Sequence, residues 1–374
     1  MANTIMIGNI EASAVMIGNS AVSAVYIGST KIYPSGGTVD YSKQYLTFEV
    51  VDGGNVTITA SNADVAKTIQ YSTDNGSTWT SLTASTTAQE LGGTLNVGDK
   101  VLVKGTNTKY GTSSNYNSFG GTAKVNVYGN IMSLISGDSF ANNKTLTASY
   151  TFNRLFNSYT NLLSAENLIL PATTLANFCY QYMFRGCTNL VTAPELPATT
   201  LASDCYNGMF RDCTSLVNAP ELPATTLADS CYEFIFYGCT SLVNAPVLPA
   251  TTLASNCYYY MFQGCTGLTT APTLPATTLA SYCYQEMFRN CTSLTTAPEL
   301  PATTLANWCY QNMFFGCRNL NYIKCLATDI SATKCTSNWV SGVASSGTFV
   351  KAASMTSWTT GPSGIPNGWT VVNE

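Results

Sequence analysis

The string LPATTLASDCYNGMFRDCTSLVNAPE, residues 196–221, decides the architecture, because the chain repeats it. Cys179, Cys205, Cys231, Cys257, Cys283 and Cys309 are each 26 residues apart. So are Cys187, Cys213, Cys239, Cys265, Cys291 and Cys317, and so are Pro171, Pro197, Pro223, Pro249, Pro275 and Pro301. A fixed period of this length marks stacked units, none of which can bury its apolar stripe alone. In CYxxMFxxC the apolar positions fall at i, i+1, i+4, i+5 and i+8, which predicts a short helix packed by one face. The LxxAPxLP stretch is extended and proline-punctuated, which predicts a brief strand with turns. With strands ~4.8 Å apart, six units predict a slab on the order of 30 Å long.

Two cysteines eight residues apart on a helix lie about 12 Å apart along its axis, too far for a disulfide. The close C-x-x-C spacing of a zinc site is missing. The repeat cysteines are therefore read as small, reduced core residues, and no metal or cofactor is expected.

Outward from the repeats, Phe152, Leu155, Phe156, Leu162, Leu168 and Leu170 echo the unit without its cysteines. This predicts an N-terminal cap over 131–170, six full units over 171–320 and a β-rich C-terminal cap over 321–374. Residues 37–130 alternate in the manner of strands, as in Leu46-Thr47-Phe48-Glu49-Val50 and Lys124-Val125-Asn126-Val127, with turn residues between. That spacing predicts an Ig-like β-sandwich. Inside it, Ser72-Thr73-Asp74-Asn75-Gly76-Ser77-Thr78-Trp79 has the Asp-box pattern, read as one structural hairpin.

Residues 1–36 carry a shorter repeat: Ile7-Gly8-Asn9, Ile17-Gly18-Asn19 and Ile27-Gly28-Ser29, ten residues apart. Short strands with tight turns are expected there. So small a segment gains stability by packing on copies of itself or on a partner. The docking candidates are Ile7, Gly8, Asn9, Ile17, Gly18, Asn19, Ile27 and Gly28. The fold class expected overall is mainly β with short helices: a β-rich anchor, a sandwich, then an α/β repeat solenoid with caps.

Charged residues are 10% of the chain, apolar residues 45%, and the formal net charge is −4. Nothing in that balance draws nucleic acid, and no apolar run is long enough for membrane insertion. Histidine is absent, which removes the commonest general base and the usual triads. Glu195, Glu221 and Glu299 recur at one unit position and form a column rather than an acid/base pair. The five arginines, Arg154, Arg185, Arg211, Arg289 and Arg318, show no carboxylate-binding cluster. No enzyme is expected, although two glycosidase carboxylates can come from anywhere in a chain, which keeps a carbohydrate-active enzyme as a third reading.

Comparison of the units with one another separates fixed from variable positions. The variable ones are expected to face solvent, and they include Phe178, Tyr182, Tyr237, Tyr259, Tyr260, Tyr282, Trp308 and Phe315. Large rings on a weakly charged surface point to ligand binding, by stacking on sugars or filling a partner's pocket. Packing on neighbouring units is the plainer alternative.

One strand and one helical segment per unit is the leucine-rich-repeat pattern. From Met183-Phe184 with Cys187 and Leu190 through Met313-Phe314 with Cys317 and Leu320, the chain resembles BspA-like leucine-rich-repeat proteins. The resemblance covers about residues 150–374 and implies a surface adhesin. The stretch Tyr26-Ile27-Gly28-Ser29-Thr30-Lys31-Ile32-Tyr33 resembles the openings of tailed-phage structural proteins. MANTIMIGNIEASAVMIGN has neither the basic nor the apolar region of a Sec signal. The expectation is therefore a virion-associated homo-oligomer made in the host cytoplasm, docked on other virion proteins through residues 1–36. Its solenoid would hold a bacterial glycan or protein receptor. A bacterial cell-surface adhesin is the alternative.

Overall fold

The computed structural model describes residues 39–374 and, before them, the backbone of four short strand segments. By contact the chain divides into two compact units, Met1–Tyr41 and Ser42–Glu374. In the first, β1 (Met16–Ile17) pairs antiparallel with β2 (Ser20–Ala21), and β3 (Val25–Ile27) with β4 (Thr30–Tyr33). Of the docking candidates, Ile17 lies in β1 and Ile27 in β3. Ile7, Gly8, Asn9, Gly18, Asn19 and Gly28 lie outside the described residues.

The second unit is mainly β, with α1 (Ser133–Ser136) the one α-helix among the described residues. It opens with eight strands: β5 (Leu46–Asp52), β6 (Val56–Ala60), β7 (Thr68–Ser72), β8 (Thr80–Thr83), β9 (Gln89–Glu90), β10 (Lys100–Lys104), β11 (Asn117–Gly121) and β12 (Lys124–Asn130). One sheet runs β12-β5-β10-β7-β8, the other β11-β6-β9. Their inner faces share a core, in which the rings of Phe48 and Phe119 lie 5.0 Å apart. The Asp-box hairpin joins β7 to β8. Asp74 accepts from the Thr78 amide at 2.9 Å and the Thr78 hydroxyl at 2.6 Å, which holds its carboxyl down at about 2.

This strand layer passes directly into the repeats. β12 pairs in parallel with β13 (Leu162–Ser164) and β14 (Leu168–Ile169). The Tyr110 amide donates to Thr151 and that of Phe119 to Leu155. Phe156 packs on Phe48 and Phe119 at 6.1 and 5.9 Å.

The CYxxMFxxC segment is a ribbon of turns and not the helix its spacing predicts. Cys179, Gln181, Met183, Arg185 and Cys187 donate their amides to the carbonyl three residues back, closing successive turns. The intervening Phe178, Tyr180, Tyr182, Phe184 and Gly186 donate instead to Ser203, Cys205, Asn207, Met209 and Arg211 of the next unit. Every fourth residue is left-handed, as at Phe178 (φ 59°), Tyr182 (φ 54°) and Gly186 (φ 71°). A left-handed residue at the third position of alternate turns is the type II pattern, and it breaks the i→i−4 ladder of a helix. Apolar positions at i, i+1, i+4, i+5 and i+8 repeat every four residues. That period fits the ribbon better than a 3.6-residue helix.

The extended stretch of each unit touches the next through isolated parallel bridges, such as Ser164↔Thr192, Asn218↔Asn244 and Asn244↔Thr270. Two prolines per stretch remove the donors a continuous ladder needs. Inside, rings stack from unit to unit. One row runs Tyr180-Tyr206-Tyr232-Tyr258-Tyr284-Tyr310 at 5.6–6.1 Å. The other runs Phe184-Phe210-Phe236-Phe262-Phe288-Phe314 at 5.5–5.9 Å. Both end on Trp339, whose indole N–H donates to Gly364 at 2.8 Å. Beyond the last unit, β15 (Tyr322–Cys325), β16 (Thr348–Lys351) and β17 (Thr370–Asn373) pair in parallel.

Candidate aromatic binding face

The turn ribbon sorts side chains by position. Tyr, Met, Phe and both cysteines point into the core, while the positions between them form the outer face. All eight predicted aromatics lie on that face, and each is half-buried. They gather into separate groups rather than one patch. Phe178 stacks on Tyr150 at 4.6 Å and Tyr282 on Trp308 at 4.8 Å, both nearly parallel. Tyr182 lies between Arg154 and Arg185, 5.1 and 5.6 Å from its ring centre. Phe315 lies under Arg289 at 4.8 Å. Much of each ring is thus covered by a neighbouring unit, the plainer of the two roles weighed from the sequence.

Tyr237, Tyr259 and Tyr260 do come together, around Phe234 at 5.8, 5.7 and 4.9 Å. Arg211 caps the group, 5.1 Å from Phe234 and 4.5 Å from Tyr237. Burial lifts the Tyr260 hydroxyl above its ordinary range, and hydrogen bonds with Tyr259 and Glu286 add to this. Glu286 is buried yet satisfied: Arg289 Nη1 donates to it at 2.6 Å and Asn312 Nδ2 at 3.1 Å. On the same face Glu233 is half-buried, and desolvation pushes its carboxyl up to about 7.

Sequence reasoning missed Phe234, Arg211, Glu286 and Arg289. The signal was present in the columns, since Phe234 shares the unit position of Tyr182 and Tyr260, and Arg211 and Arg289 that of Tyr237 and Phe315. Half-buried rings interleaved with guanidinium and carboxylate groups can stack on and hydrogen-bond a ligand. Among the described residues no group of three His, Cys, Asp or Glu side chains could hold a metal ion. Nor, among the described residues, is any helix long and apolar enough to cross a membrane.

The second cysteine of each unit has a specific job. Cys213 Sγ donates to the Phe184 carbonyl at 3.1 Å, Cys239 to Phe210 at 3.1 Å and Cys265 to Phe236 at 3.0 Å. All fourteen cysteines are free and buried. Burial pushes their thiols up, to about 12 at Cys257 and Cys317.

A family model described as the BspA type leucine-rich repeat region, in six copies, matches residues 149–295 and 204–335. Together these run from 149 to 335, half of the chain's 374 residues. No curated protein and no solved structure matches.

Proposed function

The chain belongs to the BspA-type leucine-rich-repeat family, and on that premise we propose that it is a non-enzymatic adhesion protein displayed on a surface. The observation that carries this reading is the group Arg211, Phe234, Tyr237, Tyr259 and Tyr260, with Glu286 and Arg289 beside it. The frame of the units constrains only the backbone here, left-handed at Phe234, Tyr260 and Glu286, and the side chains vary from unit to unit, yet rings and charges accumulate there. Interfaces draw their affinity from Tyr, Phe and Arg in such settings. In this reading the repeats form a solenoid, residues 37–130 are an Ig-like spacer, and the ligand is a glycan or protein receptor.

What the chain is mounted on is a finer reading. The Ile-Gly-Asn repeats of residues 1–36 support docking on a phage particle as a homo-oligomer, whereas family membership supports a bacterial cell surface. Immunogold imaging of purified particles and of fractionated host cells separates the two. Label on particles is the expected result, and label confined to the bacterial envelope contradicts docking on a particle.

A further inference from the structure

The extended stretch of each unit presents a second surface, formed by different residues from the aromatic face. Along residues 190–198 burial alternates: Leu190, Pro194, Leu196 and Ala198 are buried, whereas Val191, Glu195 and Pro197 are exposed. The next units repeat this strip as Val217, Glu221 and Pro223, then Val243, Val247 and Pro249. Val191, Val217, Val243 and Val247 are 46, 38, 38 and 59% exposed. They are four of the nine large aliphatic side chains exposed in this way among the described residues, so apolar exposure concentrates here. Between adjacent units, Pro194, Pro197, Pro220 and Pro223 line a shallow hollow of about 370 Å³ with Glu195 and Glu221 beside them. Contiguous exposed apolar surface of this kind marks an interaction site.

The charge of the strip says what covers it. Glu195 and Glu221 are exposed on consecutive units, and neither has a side-chain partner among the described residues. A third carboxylate of the same column, Glu299, does have one: Lys324 Nζ lies 3.2 Å from it and 2.8 Å from Glu374. Lys324 belongs to β15, the extended stretch laid against Glu299's own. It stands 26 residues after Pro298, where the earlier units carry proline. The fold thus holds one worked example of how this column is neutralised, by a lysine on an extended chain alongside.

We propose that the strip from Val191 to Val247 docks an extended, lysine-bearing segment of a partner protein. Its aliphatic side chains would cover the valines and prolines, and its ammonium groups would pair with Glu195 and Glu221. The face is distinct from the aromatic one, so the two readings stand or fall separately.

The test is fluorescence anisotropy with the full chain and a labelled Val-Lys-Val-Lys-Val-Lys peptide, alongside its Val-Glu counterpart. Saturable binding of the lysine peptide alone is expected, weakened roughly tenfold by Glu195→Gln with Glu221→Gln and by raised salt. Val217→Ser with Val243→Ser should weaken it too. Glu299→Gln and Arg211→Ala with Tyr237→Ala should leave it unchanged. Equal binding of both peptides, no saturable binding, or indifference to the Glu195/Glu221 double change overturns the proposal.

Discussion

The ring of Tyr182 lies over Gly208 of the next unit, where φ is +58° and an added Cβ would collide with the ring edge. Gly208→Ala is therefore expected to cost about 1–3 kcal/mol, from strain and from displacing Tyr182, which chemical denaturation of the variant checks. The thiols give a second residue-scale outcome. The twelve repeat cysteines are buried and their thiols are held protonated, and thiolate is the reactive form. Native protein should resist maleimide at those positions, while unfolded protein reacts at all of them; rapid native labelling would contradict this packing. Glu233 supplies a pH dependence. Its folded value of about 7 exceeds the ordinary 4.5, so the fold favours the neutral acid. That contribution is fully present below pH ~4.5 and lost as pH rises through about 7. Melting temperature should fall between pH 5 and 8, and Glu233→Gln should flatten the fall.

At the scale of the element, the unit and its 26-residue period were legible because the same core positions recur in every copy. The kind of element was not. A stripe at i, i+1, i+4 and i+5 satisfies both a helix and a four-residue turn ribbon. What separates them is where alternate amides go, namely to the next unit, and one unit's sequence carries no trace of that. The aromatic face was half legible for a related reason. Tyr237, Tyr259 and Tyr260 stand out as residue types, but their gathering around Phe234 and Arg211 needs the column alignment that stacking imposes. The ladders yield a sharp contrast. Tyr232 stacks at 5.9 and 6.0 Å on Tyr206 and Tyr258, and its hydroxyl is buried with no hydrogen-bond partner among the described residues. Tyr232→Ala should cost about 3–5 kcal/mol, while Tyr232→Phe should be neutral or slightly stabilising, as thermal denaturation of both would establish.

At the scale of the whole molecule, residues 42–374 are one compact unit. The strand layer of β5–β12 and its loops reach the first turn ribbon through two hydrogen bonds of the kind each unit gives the next, from the Tyr110 and Phe119 amides to the Thr151 and Leu155 carbonyls. Where an ordinary stack needs a capping unit to cover its end, this chain uses a folded layer. Trp339 closes the other end, where the two ring ladders converge. This frame leaves the side chains of the ribbon's outer face free to vary, and the proposed binding surface lies there. The most direct test is binding of the full chain to a glycan array and to intact bacterial cells, compared with Arg211→Ala/Tyr237→Ala/Tyr259→Ala. Saturable binding of a defined ligand is expected, lost in the triple variant while its melting temperature shifts little. Binding that survives the triple change unaltered would contradict it.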